Sequence, residues 1–191
     1  MSDEKKLLLH ACCAPCVIHP LERARQSGWQ VTVYFYNPNI HPFTEFEKRF
    51  EAVRDYCEKQ NVPLIADPDY DVYEFIRTAG IEDGERCRAC YRMRLERTIR
   101  RAAEGGFNAA TTTLLYSRYQ DHDGIRKLGE ELSREAGIEF YYEDFRAGWD
   151  EGQQRSRDLG MYRQKYCGCI FSEQDRYEKK IKKLTHSART P

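Results

Sequence analysis

Apolar positions along the chain follow two rhythms. Leu7-Leu8-Leu9-His10, Val31-Thr32-Val33-Tyr34-Phe35-Tyr36, Val62-Pro63-Leu64-Ile65-Ala66, Ala109-Ala110-Thr111-Thr112-Thr113-Leu114-Leu115 and Ile138-Glu139-Phe140-Tyr141-Tyr142 are short apolar or β-branched runs, and read as strands. Between them the spacing is helical. Helices are expected over 17–27 (ended by Gly28), 44–60, 72–78, 90–103 (closed by Gly105-Gly106), 123–135 (capped by Gly137), 149–162 and 172–184. In the second of these, Phe46, Phe50, Val53 and Cys57 form one stripe. Residues 80–86 read as a loop. Strands alternating with helices predict an α/β fold with a doubly wound, mainly parallel sheet. No internal repeat or linker divides it, so a single domain over 1–191 is expected, with its core at about 6–172, a basic helix at about 172–184, and frayed residues at 187–191.

Ligands of such sheets bind at the carboxyl ends of strands. Cys12-Cys13 follows the first strand, Asn37-Pro38-Asn39 the second and Tyr116-Ser117 the fourth. That edge is the expected site.

Composition narrows the class. With 191 residues, 40% apolar and 13% aromatic, the chain can bury a real core, which argues against disorder. No stretch approaches the ~20 apolar residues of a membrane span, so no membrane partner is expected. Lys and Arg balance Asp and Glu at 31 each. Global charge therefore predicts no polyanion, and local clusters must decide. The unusual count is eight cysteines. Met1 to Lys6 is polar, and three leucines fall far short of a signal peptide's apolar stretch. A cytoplasmic location is expected, where clustered thiols more often mean metal or redox chemistry than a disulfide framework.

His10-Ala11-Cys12-Cys13-Ala14-Pro15-Cys16 puts three thiols in five residues. Cys12 and Cys13 serve one ligand only if the chain turns there, which Pro15 favours. The plain alternative is a set of small buried side chains. No glycine-rich phosphate loop occupies this place. Cys87-Arg88-Ala89-Cys90 is a C-x-x-C beginning a helix, near Arg86, Arg88 and Arg92. It suits a redox pair, half a zinc site or half an iron–sulfur site. Joined to Cys12-Cys13 it gives four thiolates, fitting zinc or a [4Fe–4S] cluster. Spacing does not choose between them, though zinc sites usually draw on two C-x-x-C knuckles. Cys167-Gly168-Cys169 bridges only with a bent backbone, which Gly168 permits. It suits a reversible dithiol or ligands of a second metal better than a structural staple. Cys57 reads as core, and Cys16 is left unassigned.

The ordered set of His10 to Cys16, Tyr36-Asn37-Pro38-Asn39-Ile40-His41-Pro42, Cys87-Arg88-Ala89-Cys90-Tyr91, Thr112-Thr113-Leu114-Leu115-Tyr116-Ser117 and Tyr162-Arg163-Gln164-Lys165-Tyr166-Cys167-Gly168-Cys169-Ile170-Phe171-Ser172 closely resembles the epoxyqueuosine reductase QueH family. The resemblance implies a fold of the adenine-nucleotide α-hydrolase type. It implies an oxidoreductase that removes the epoxide oxygen of epoxyqueuosine in tRNA, giving queuosine at the wobble position. It further implies a [4Fe–4S] cluster without cobalamin, held by Cys12, Cys13, Cys87 and Cys90, with Cys167 and Cys169 as a redox-active pair. An additional iron beside the cluster also falls within the family's range and would compete for some of these thiolates. An electron donor is required, and the sequence does not identify it.

Removing an epoxide oxygen takes two electrons and two protons, so a general acid is needed. Tyr116, His10, His41 and Asp121 are candidates near the strand ends. For tRNA contact, Arg86, Arg88, Arg92, Arg94, Arg97, Arg100 and Arg101 crowd the C-x-x-C helix, and Arg176, Lys179, Lys180, Lys182 and Lys183 load the last one. Tyr34, Tyr36, Tyr116 and Tyr119 are candidates to stack on a base, with core packing the stronger reading for the strand tyrosines. Two other classes compete: a zinc-stabilised nucleic-acid-binding module without redox chemistry, and a nucleotide-dependent ligase or sulfurtransferase, which the missing glycine-rich loop disfavours.

Overall fold

The structure, a computed structural model, describes residues 5–80 and 84–187. Part of the expected loop at 80–86, and the expected frayed end beyond Ser187, lie outside the described residues.

Five strands form one parallel sheet: β1 (Lys6–His10), β2 (Gln30–Phe35), β3 (Leu64–Ala66), β4 (Ala109–Thr112) and β5 (Glu139–Phe140), in the order β3-β2-β1-β4-β5. Alternate residues of β1 face opposite layers. Leu7 and Leu9 pack with α1 (Ala14–Gln26) and α2 (Phe43–Lys59), whereas Leu8 packs with α4 (Glu85–Glu104) and α5 (His122–Ala136). The short α3 (Val72–Ala79) lies against α4. After β5 come α6 (Trp149–Asp158) and α7 (Ile170–Ser187). The expected doubly wound α/β fold is present, and its topological switch point lies between β1 and β4.

Several boundaries differ from expectation for local reasons. Helix α1 starts at Ala14 rather than 17: Cys13 takes the extended N-cap conformation, and Pro15 sits in the first turn, where no N–H is needed. The fourth strand stops at Thr112 because the Thr112 hydroxyl accepts the Leu114 N–H at 3.1 Å, winding Thr113–Tyr116 into a 3-10 turn. Helix α4 starts at Glu85, directly after Gly84 at φ +92°, so both cysteines of the C-x-x-C lie inside its first turns. Helix α6 ends at Asp158, just ahead of Gly160 at φ +61°.

Candidate metal and redox centre

Strand β1 delivers the first cysteines to the switch point. The Ala11 N–H still bonds the Tyr34 carbonyl at 2.8 Å, but Cys12 has left the sheet. Its N–H donates to Thr113 Oγ1 at 3.1 Å, and the Thr113 hydroxyl donates to Cys12 Sγ at 3.4 Å. From β2, Asn37 Nδ2 donates to the Ala11 carbonyl at 2.8 Å. The loops after β1, β2 and β4 therefore meet, as the strand-end rule expects. Cys13 then caps α1 and Cys16 follows one turn later; their sulfurs are joined as a disulfide, with Cα atoms 5.5 Å apart. The sulfurs of Cys12, Cys13 and Cys16 lie within 4.8 Å of one another. Gln164 Nε2 donates to Cys13 Sγ at 3.0 Å. Sequence reasoning left Cys16 aside. The signal was present, because Cys13-Ala14-Pro15-Cys16 is itself a C-x-x-C at a helix start, where i and i+3 share a face.

The other two cysteine segments converge from α4 and α7. Cys87 is exposed and Cys90 buried. Burial pushes the Cys90 thiol up to about 12, with Cys167, Cys169 and Cys87 adding to the rise and Arg94 opposing it. Cys169 and Phe171 pack against Cys90 beside Phe75 of α3. Cys169 immediately precedes α7, and its Sγ accepts the Ser172 N–H at 3.4 Å. Cys167 Sγ accepts from Gln120 Nε2 at 3.6 Å, and Gln120 Oε1 accepts the Tyr91 hydroxyl at 2.9 Å. Cys167 and Cys169 are free thiols. Although Cys167 is exposed at the surface, the protein around its thiol raises its pKa, with Cys169 and Cys12 adding and Arg94 and Arg49 opposing.

The C-x-C loop is held from below. Gly168 has φ +151°, a value that favours glycine, and Cys167 and Cys169 are not bridged. Arg49 of α2 is buried; its Nη1 donates to the Cys167 carbonyl at 2.8 Å and its Nη2 to the Tyr166 carbonyl at 3.0 Å. Its Nε pairs with Glu45 at 2.7 Å, and Glu45 also accepts the Tyr162 hydroxyl. The His41 N–H donates to the Gly168 carbonyl at 2.8 Å.

The cysteine segments thus start three helices: α1, α4 and α7. Helix N-termini carry unpaired N–H groups and partial positive charge, which suit anionic sulfur. Arg94, fully buried, lies within electrostatic reach of Cys90, Cys167 and Cys12. This thiol-rich, positively biased donor set fits an anionic metal–sulfur group.

The profile of the family described as "Epoxyqueuosine reductase QueH" matches residues 7–175. The chain belongs to the epoxyqueuosine reductase QueH family. A relative of that name from Dehalococcoides mccartyi is 38% identical over 174 residues, covering 91% of this chain and 96% of its own. Those from Histophilus somni and Thermotoga maritima are 39% and 34% identical, covering 89% and 91% of this chain and 73% and 93% of theirs. The chain is thus an enzyme of an oxidoreductase family. A deacetylase of teicoplanin biosynthesis gives a TM-score of 0.48 at 14% identity over 71% of this chain and 65% of its own, a likeness too slight to inform the site.

Within this QueH-family chain the four acid candidates separate. His10 Nδ1 bonds Thr112 Oγ1 at 2.9 Å and Nε2 bonds the Tyr36 carbonyl at 3.1 Å. Burial, with Arg94 adding, lowers its pKa to about 3, so it stays neutral. The buried Tyr116 hydroxyl donates to the Trp149 carbonyl at 3.1 Å. Asp121 caps α5, accepting the Gly124 N–H at 3.0 Å. His41 is buried between Tyr70 and Phe75, and neither ring nitrogen has a hydrogen-bond partner.

The basic residues separate as well. Arg94 is buried beneath the cysteines and leaves the expected RNA-facing set. Arg92 pairs with Glu96 and Glu131, and Arg97 with Asp67. Arg88, Arg100 and Arg101 are exposed, as are the basic residues of α7. Tyr34 and Tyr116 are core, Tyr36 is half-buried, and Tyr119 is exposed. Cys57, on the buried face of α2, lies in the core, and burial raises its thiol to about 12. Among the described residues, no helix is long and apolar enough to cross a membrane.

Proposed function

We propose that the chain reduces epoxyqueuosine to queuosine at the tRNA wobble position in the cytoplasm, in two electrons, at the centre formed by its cysteine segments. The observation that carries this reading is that Cys12, Cys90 and Cys167 lie within electrostatic reach of buried Arg94, with Cys169 beside Cys90, in a chain of this family. Cys12, Cys13, Cys87 and Cys90 would hold a [4Fe–4S] cluster; an additional iron, if bound, would compete for some of these thiolates. Such a group, when bound, supplies Lewis-acidic iron and one-electron chemistry. For Cys13 to ligate, its bond to Cys16 must be reduced.

Cys167 and Cys169 supply the electron pair. Two thiols becoming a disulfide release two electrons and two protons. An epoxide takes up both, gives an alkene, and loses its oxygen as water, so the step balances. Gly168 lets the two sulfurs approach, Arg49 fixes the carbonyls of the loop, and Gln120 donates to Cys167 Sγ. Of the acid candidates, His41 keeps both ring nitrogens without a hydrogen-bond partner, but burial lowers its pKa and disfavours the protonated form, so the proton donor to the leaving oxygen is not assigned to it. An external donor then restores the dithiol. Tyr119 and the exposed arginines of α4 face solvent, as a surface for an unpaired anticodon base and its phosphates would.

The test is anaerobic reconstitution with iron and sulfide, followed by incubation with epoxyqueuosine-containing tRNA and a chemical reductant. Nucleoside analysis should show queuosine. A protein that purifies colourless with stoichiometric zinc, and forms no queuosine, is the zinc-stabilised RNA-binding module instead.

A further inference from the structure

Among the described residues two arginines are fully buried, and their surroundings differ. Arg49 has a carboxylate, Glu45, and two carbonyls. Arg94 donates from Nε to the Cys90 carbonyl at 3.3 Å, while its Nη2 is buried without a partner. No carboxylate pairs with it among the described residues. A guanidinium cannot shed its proton to escape burial, so its charge demands an anion.

The groups around Arg94 identify that anion. It sits four residues after Cys90 on α4, so the two share a helix face. Cys90, Cys167, Cys12 and Tyr91 lie within electrostatic reach of its guanidinium. All of these but Tyr91 are sulfur ligands or redox thiols in the reading above. The segments that carry these cysteines start helices α1, α4 and α7.

We propose that Arg94 is the resident counter-charge of the cysteine pocket, its free Nη2 donating to an anionic metal–thiolate group held by the surrounding cysteines. Arg94 is a positioning residue that acts through the sulfurs. A divalent metal with three or four thiolates carries net negative charge, and the buried cation offsets it. In the metal-free protein the same cation is a liability. Its removal therefore has opposite consequences in the two states. The inference rests on the proposed reading only in that the thiols bind metal.

The probe is Co2+ alone, added anaerobically to the reduced, metal-free protein. Affinity is read by chelator competition from the sulfur-to-cobalt charge-transfer absorption. R94M should bind cobalt at least tenfold more weakly than wild type, while its metal-free thermal midpoint is unchanged or higher. R94K, which restores the charge, should return the affinity to within threefold. R94Q serves in place of R94M should the latter not fold. Cobalt affinity of R94M within twofold of wild type overturns the proposal, and so does a loss that R94K does not recover. If wild-type protein made no queuosine, this result would still stand. Unchanged cobalt affinity in R94M would likewise leave the reaction untouched, so the two readings fail separately.

Discussion

Arg49 donates from Nη1 to the carbonyl oxygen of Cys167 at 2.8 Å, tying the middle of α2 to a loop 118 residues later in the chain. The contact explains how the C-x-C segment keeps one shape. Arg49 is in turn held by Glu45, at side-chain exposures of 1% and 10%, so this is a buried ion pair whose partners cannot be removed singly without leaving an orphan charge. R49Q should lose about 3 kcal/mol in urea unfolding. R49K should lose less, since an ammonium keeps the charge but not the two-carbonyl fork. A loss below ~0.5 kcal/mol in R49Q, the range of an ordinary surface change, would show that the pair does not support the loop.

Gly168 carries the second constraint on that loop. A Cβ there would stand 3.0 Å from Asn39 Nδ2 and 3.2 Å from Ile40 Cγ1, at a φ of +151°. Asn39 and Ile40 are both buried and have little room to yield. G168A is expected to destabilise the protein by at least ~1 kcal/mol, from strain and crowding together. Urea midpoints check this, and an unchanged midpoint would mean the loop relaxes freely.

Cys57 should behave as core and not as chemistry. Its pKa of about 12 in the folded chain exceeds the ordinary thiol value. Between pH ~9 and ~12 the native state therefore keeps a proton that the unfolded chain releases. Stability from this group is complete below that window and is lost as pH rises through it. C57A removes this share, so its alkaline decline should be shallower than wild type. At neutral pH it should cost about 1 kcal/mol for the lost packing. Parallel stability–pH curves for the two proteins would contradict the buried thiol.

The division of labour among the remaining cysteines is open to direct test. C169S should retain iron and sulfide after anaerobic reconstitution, and C90S should lose them. C16S is the sharper case, because the Cys16 sulfur lies with those of Cys12 and Cys13. If Cys12, Cys13, Cys87 and Cys90 are the ligands, C16S keeps its iron. Iron loss in C16S would place the metal on the β1–α1 trio instead. Iron and sulfide assays on the three variants decide.

Much of this layout was legible in the chain. Short apolar and β-branched runs located all five strands, and the strand-end rule located the expected edge, because both depend on local sequence. What escaped depended on one atom or one turn. Thr112 ends its strand through a side-chain hydrogen bond that β-propensity does not register. Cys16 was passed over because Pro15 was read as a turn outside the helix, while it lies inside the first turn. Arg94 was grouped with solvent-facing arginines by composition. Its i+4 spacing from Cys90, on the face that also carries Thr98, marked it for the interior. The Glu45–Arg49 hold on the C-x-C loop joins segments far apart in sequence, and no local pattern announces it.

The central claim is that this cysteine centre delivers an electron pair to an epoxide. Single turnover tests it most directly. Reconstituted protein, fully reduced and freed of external reductant, is mixed anaerobically with excess epoxyqueuosine-containing tRNA, and queuosine and free thiols are counted together. The account predicts about one queuosine per chain, with Cys167 and Cys169 converted to a disulfide in equal amount. Queuosine formed while both thiols remain free would contradict the dithiol's role, and no queuosine from protein with its iron and sulfide intact would contradict the reaction itself.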